Sequence, residues 1–404
     1  AFERIRIISS HWKELQSNGH NVSGKFVRKV IDDVGKVAFA PIHDGKYEFT
    51  PYPSCLKSVL RHLGNDASYH YLLATSGAAF RLVWHASRWE GGNVDIIFMA
   101  EDPLAPFKRA VQAAGYGAEI ILNSAGAWGD GLPSRQAYFG NLMEGEEAVF
   151  RRKIVASIDA GVPVIVLGVV GPPEACIVTG YDNAGDVLIG WSMFQEHLDP
   201  EHDIGEGDMN APVGIEESGY FRQNDWHGKL RGVIVLGEKT EVDLTAIYRS
   251  TLEWIPTVIK TSRAHEFYTG QGAYDAYIEK MSDDSEFPAD DLATVAERKM
   301  VHYDAMTMIS ERGGGAAFLR DVAAHAGFVA AREEITKAAD AFEDAAAQMR
   351  GWWDVAGKIW DDEEAQIRAT ADPGIRRAFV PYIRKSKESD LEGAGYIERA
   401  LEKL

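Results

Sequence analysis

Pro51-Tyr52-Pro53-Ser54-Cys55-Leu56-Lys57-Ser58-Val59-Leu60-Arg61-His62-Leu63-Gly64 reads as a turn, a capped helix start, an apolar helix and a glycine stop. Ser54 is the expected N-cap, because a serine hydroxyl accepts from the free N–H groups of the next turn. Leu56, Val59, Leu60 and Leu63 repeat at three- and four-residue spacing, the pattern of one helix face, and Gly64 supplies the residue that ends it. On this reading Cys55 falls in the first turn, where the positive end of the helix dipole favours a thiolate. A cysteine in that place is either a nucleophile or a small apolar residue packed under the helix.

Working outward, residues 1–47 read as an N-terminal helical extension, with a helix around Trp12, a second over 23–33 and a strand over 37–41. Gly19 to Phe26 imitates a phosphate loop, but Phe26 stands where a serine or threonine must reach magnesium. Asn21-Val22-Ser23 fits a glycosylation triplet that matters only in a secreted chain. Downstream, Ser76 to His85 reads as a small-residue turn followed by a strand, and 94–99 and 118–122 as further strands with a helix between them opened by Asp102-Pro103. The loop over 123–140, with Trp128 and Tyr138, is the expected rim of a cleft.

The clearest block is an amphipathic helix over 146–160, an apolar strand over 162–170, a turn at Gly171-Pro172-Pro173 and a hairpin from Ala175 through Gly180-Tyr181-Asp182 to Ile189. A last strand runs over 231–236. Helices first and hairpins later imply α+β with an antiparallel sheet. The acidic run over 196–208 lacks the glycine and glutamate of a calcium loop and reads as a solvated loop. From about 241 the chain turns to alanine- and glutamate-rich helices, and Ile335, Ala338, Phe342, Ala345, Met349, Trp353, Ala356 and Trp360 form one apolar stripe over seven turns. Breaks are expected at Phe287-Pro288, at Gly313-Gly314-Gly315 and at Asp372-Pro373-Gly374. The expected division is 1–47 extension, 48–240 sheet domain and 241–404 helical bundle.

With 404 residues the chain is long enough for two cores. A net charge of -19 argues against nucleic acid and anionic membrane as partners, since phosphate binding needs a basic face. Two cysteines, Cys55 and Cys176, permit at most one disulfide and suggest a reducing compartment, so a cytoplasmic location is expected, with no leader and no membrane span.

The helix beginning beside a cysteine, the late apolar strand and the hairpin Ala175-Cys176-Ile177-Val178-Thr179-Gly180-Tyr181-Asp182 resemble the papain-like superfamily. The likeness is to double-glycine leader peptidases and to the amino-terminal domain of butirosin biosynthesis protein H, over residues 48–236. It implies a papain-like (cysteine-peptidase-like) domain, which the all-helical domain read from the pattern after 241 then follows. It further implies a cysteine nucleophile at the helix start, a histidine on the first late strand and an acidic or amide residue on the return strand. Counting from Gly64 and Gly180, those positions hold Pro51, Glu174 and Trp191. Tyr52, Pro53 and Ser54 then match the family's Gly-Pro-Thr, and Cys55 matches an alanine.

The expected function is therefore a catalytically degenerate papain-like protein that binds a small molecule or peptide in the ancestral cleft. The alternative is a cysteine-dependent acyltransferase or amide hydrolase using Cys55, with Glu174 as the catalytic partner or one of His62, His70 and His85 in its place. A third reading is a carboxylate-and-histidine metal site in the same cleft. The cleft residues would be Ser54, Ser76, Arg81, His85, Cys176 and Trp191, and Glu174, if it is not the base for Cys55, would hold a cationic ligand or an arginine such as Arg81. No metal and no cofactor are expected, and the sequence does not specify an oligomeric state.

Overall fold

The structure, a computed structural model, describes residues 27–39, 48–90, 99–126, 139–196 and 212–404. The expected helix at Trp12, the phosphate-loop imitation, all but Met99 of the strand over 94–99, most of the aromatic loop and the acidic run after Glu196 lie outside the described residues. The strands are β1 (Lys29–Val30), β2 (Val83–His85), β3 (Tyr116–Asn123), β4 (Met143–Glu144), β5 (Val164–Leu167), β6 (Ala175–Asp182), β7 (Val187–Trp191), β8 (Gly214–Ile215), β9 (Phe221–Gln223), β10 (Gly232–Lys239), β11 (Arg263–Ala264) and β12 (Phe267–Thr269). The helices are α1 (Pro51–His62), α2 (Tyr69–Ser76), α3 (Ala105–Ala113), α4 (Glu147–Asp159), α5 (Trp226–Lys229), α6 (Leu244–Lys260), α7 (Gly270–Ser282), α8 (Leu292–Ser310), α9 (Arg312–Ala324), α10 (Arg332–Gln348), α11 (Gly351–Ala356), α12 (Glu363–Ala371) and α13 (Pro373–Glu402). The fold is α+β, with a large mixed sheet and a helical C-terminal region. Among the described residues no helix is long and apolar enough to cross a membrane.

Two compact units divide the chain. The first takes residues 1–69 and 114–241, the second 70–113 and 242–404. Residues 70–113 group with the helical region and not with the sheet.

In the first unit the sheet order is β4-β3-β10-β5-β6-β7-β9-β8, with β1 added to β6, and every pairing is antiparallel except β3 with β4. Val164 to Leu167 is buried throughout and β6 nearly so, because strands covered on both faces need continuous apolar residues. The pairing of β6 with β7 shifts between Val178 and Gly180, and Gly190 is fixed there by contact: a Cβ would lie 1.8 Å from the Ile177 carbonyl oxygen. Part of the helix expected over 23–33 is strand β1 instead, paired through Lys29 with Tyr181 and Val30 with Gly180. Bare Gly180 allows that approach, since a Cβ would lie 2.5 Å from the Lys29 carbonyl oxygen. Val37 to Phe39, expected as strand, is irregular backbone.

In the second unit β2 closes a three-stranded sheet, β11-β12-β2, pairing Val83 with Thr269 and His85 with Phe267. Arg312, at 0 % exposure, donates to Asp390 at 2.9 Å, to the Phe80 carbonyl at 3.0 Å and to the Arg81 carbonyl. Tyr274 donates to the same Asp390 at 2.9 Å, so the buried charge pair has its remaining positions filled. The long apolar stripe is not one helix: it breaks between α10 and α11, and Gly357 turns the chain at φ +90°. Ile335 through Met349 are buried, but Trp360 is 47 % exposed. The three glycines expected to break a helix lie inside the first turn of α9, where Gly315 makes room for the Phe80 ring.

Candidate functional site

The helix that carries Cys55 begins one turn earlier than Ser54 suggests. Pro51 occupies its first position with Thr50 as N-cap residue, so Cys55 is the fifth residue and not in the first turn. Two prolines in that turn remove N–H groups that would otherwise need partners. The N–H groups of Phe49 and Thr50 donate to the Tyr69 hydroxyl at 3.1 and 3.0 Å. Ser54 is not the cap: its hydroxyl donates to Glu48 at 3.2 Å, and Lys57 pairs with the same carboxylate. Gly64 ends the helix as expected, at φ +78°, with the Asn65 N–H reaching back to the Leu60 carbonyl at 2.9 Å.

Packing of α1 on β5 and β6 sets Cys55 at 0 % exposure, its thiol donating to the Ala175 carbonyl at 3.4 Å. Burial raises this thiol well above its usual range, and the neighbouring Cys176 and Glu174 raise it further. Cys176, also fully buried, donates to the Val170 carbonyl at 3.1 Å. Its pKa is pushed up to about 11 by burial, against the opposing hydrogen bonds from Val170 and Ser192. Glu174 is 4 % exposed, and its backbone closes the turn before β6 through Gly168. Sequence reasoning missed Ser192. It is 1 % exposed, donates to the Val170 carbonyl at 3.1 Å and bonds Cys176, and its only signal is its place directly after Trp191.

Trp191 is a wedge in the sheet's surface. Its indole N–H donates to the Val34 carbonyl at 3.1 Å, its ring meets Tyr220 at 4.6 Å, and Lys36 lies over it. Pro51 opens α1, Glu174 directly precedes β6 and Trp191 ends β7, and none of the three is a nucleophile or an imidazole.

Ser76, Arg81 and His85 belong to the second unit and have their own partners there. The Ser76 hydroxyl donates to the Leu73 carbonyl at 2.9 Å and accepts from the Ala78 N–H. Arg81 pairs with Glu311 at 3.0 Å, both side chains buried. His85 accepts from the Ser87 N–H at 3.1 Å and pairs with Glu266 at 3.5 Å. Of the other expected imidazoles, His62 contacts the Gly161 carbonyl at 3.2 Å, and His70 packs against Gly314 in the second unit. Among the described residues no three His, Cys, Asp or Glu side chains group so as to hold a metal ion. No family model matches the chain, and no curated protein matches it.

Proposed function

We propose that the first unit is a papain-like domain that has lost its thiol chemistry and binds a small molecule or peptide at the junction of α1, β6 and β7. What carries this reading is the state of Cys55: fully buried, past the first helical turn, with its proton engaged by the Ala175 carbonyl. A thiol held neutral in this way is neither nucleophile nor base at neutral pH. Support for the papain-like element comes from a helix packed on β5 and β6 of an antiparallel meander, with the three aligned positions at the helix start, before β6 and at the end of β7. Glu174 beside the two thiols is the polar group a ligand would meet.

The test is alkylation by iodoacetamide across pH on the folded chain, with Cys176→Ser assigning the site. The expected result is no labelling of Cys55 faster than the protein opens. An apparent pKa below about 7.5 would install the competing reading, an acyltransferase or amide hydrolase using Cys55. Binding is read by the thermal shift of the folded chain with a synthetic peptide ending in Gly-Gly, abolished by Glu174→Gln. A shift unchanged by that substitution would move the ligand away from Glu174.

A further inference from the structure

The chain has two cysteines in 404 residues, 121 positions apart, and the fold brings them to the same spot. The Cys55 sulfur lies 3.4 Å from the Ala175 carbonyl oxygen. Peptide geometry places that oxygen roughly 2.8 Å from the Cα of the next residue, so the Cys55 sulfur is within roughly 6 Å of the Cys176 Cα. A disulfide needs about 4–5 Å for the same separation, a difference that a small side-chain and helix adjustment covers. Cys176 also raises the affinity of the Cys55 thiol for its proton, as a nearby acid does. Their hydrogen bonds are to neutral groups, Cys55 to the Ala175 carbonyl and Cys176 to the Val170 carbonyl and Ser192, while the nearby Glu174 charge disfavours both thiolates.

We propose that Cys55 and Cys176 are a reversible redox pair whose disulfide staples α1 to β6. The oxidant is a low-molecular-weight disulfide such as oxidised glutathione. One protein thiolate attacks it, forming a mixed disulfide and releasing one glutathione thiolate. The second protein thiolate then attacks the protein sulfur of that mixed disulfide and releases the second glutathione. Two thiols are oxidised, one disulfide is reduced, and two protons leave. Because both sulfurs are fully buried, the exchange proceeds when α1 opens locally and not from the closed state. The closed loop, residues 55–176, contains all of residues 70–113, the part of the chain that belongs to the second unit. Oxidation thus ties the first unit across its own insertion. This pair rests on the contact of Cys55 with the Ala175 carbonyl next to Cys176 and does not depend on the papain-like reading.

The experiment is an equilibrium, so slow opening delays it without biasing it. The wild-type chain is incubated to constancy in glutathione buffers at pH 8, once native and once in 6 M guanidinium chloride. The Cys55–Cys176 linked peptide is then quantified by mass spectrometry, and the glutathione concentrations give the effective concentration of one thiol at the other. A native value at least ~100-fold above the denatured one is expected, since a fold that places two thiols together favours their bond by the factor that the bond favours the fold. A native value equal to or below the denatured one would overturn the proposal, because the fold would then be holding the sulfurs apart. Agreement between approach from the reduced and from the oxidised chain establishes that equilibrium was reached. Iodoacetamide silence of Cys55 in the native chain leaves this result unaffected, so the two readings fail separately.

Discussion

At the scale of single residues, chemical type is legible in the sequence and burial is not. Cys55 lies near enough to Cys176 and Glu174 for both to raise its thiol, a neighbourhood between distant parts of the chain that no local pattern records. Whether a thiol is exposed depends on the groups packed over it, which no local pattern records. His302 makes the same point in the second unit. It reads as an ordinary polar residue on a helix, yet it is fully buried against Trp352 at 4.3 Å, with its Nδ1 hydrogen-bonded to the Tyr277 hydroxyl. Burial lowers its pKa from 6.5 to about 3. The folded state therefore disfavours the proton that the unfolded chain accepts, so this residue's contribution is intact above about pH 6.5 and is lost progressively as pH falls toward 3. His302→Gln keeps an acceptor for Tyr277 and removes the titration. Urea unfolding at pH 7, 5 and 4 is expected to show the wild type losing more stability than the variant across that range. Parallel pH profiles for the two would mean that His302 is protonated without penalty in the fold.

At the scale of elements, types are well specified and ends are not. The helix over 146–160, the 175–189 hairpin and the stop at Gly64 are all legible, since hydrophobic period and positive-φ glycine are local signals. The start of α1 is misread because Ser54 has the chemistry of a cap, while the helix begins at Pro51 without a side-chain cap and its entry at Phe49 and Thr50 is held by the Tyr69 hydroxyl, nineteen positions after Thr50. Two outcomes separate these roles. Tyr69→Phe removes the acceptor of the Phe49 and Thr50 N–H groups and is expected to lower stability by about 1–2 kcal/mol. Ser54→Ala loses one hydrogen bond to a part-buried carboxylate and is expected to change it by less than about 1 kcal/mol. Chemical denaturation of both variants gives the comparison, and a larger loss for Ser54→Ala would return the cap to Ser54. The stripe from Ile335 to Trp360 is overread for a related reason: period alone does not see the turn at Gly357, whose φ of +90° ends the helical geometry.

At the scale of the molecule, the change of composition near 240 is visible in the sequence, but the grouping of residues 70–113 with the helical region is not. A strand and a helix look alike whichever unit takes them, and β2 finds its partner β12 about 180 residues later, beyond the reach of any local pattern. The physical reason for the grouping lies in buried polar groups. Arg312 donates to the Phe80 and Arg81 carbonyls, Arg81 pairs with Glu311, and Arg109 donates to the Ser250 carbonyl at 2.7 Å. Trp84 stacks on Tyr277 at 5.3 Å, and Phe80 meets Phe342 edge to face at 5.0 Å. Without residues 70–113, Glu311 loses the cation of a buried pair, Arg312 loses two carbonyl acceptors, and several aromatic faces are opened to water. Breaking a buried pair from one side costs about 3–5 kcal/mol, which is comparable to the whole stability of many domains. Residues 242–404 expressed alone are therefore expected to keep much of their helical circular dichroism while losing a cooperative thermal transition and binding a hydrophobic dye. The same residues preceded by 70–113 through a flexible glycine-serine linker are expected to regain the transition. A sharp, dye-free transition from 242–404 alone would mean that the helices pack without the insertion, and that the sheet β11-β12 does not need β2 to close it.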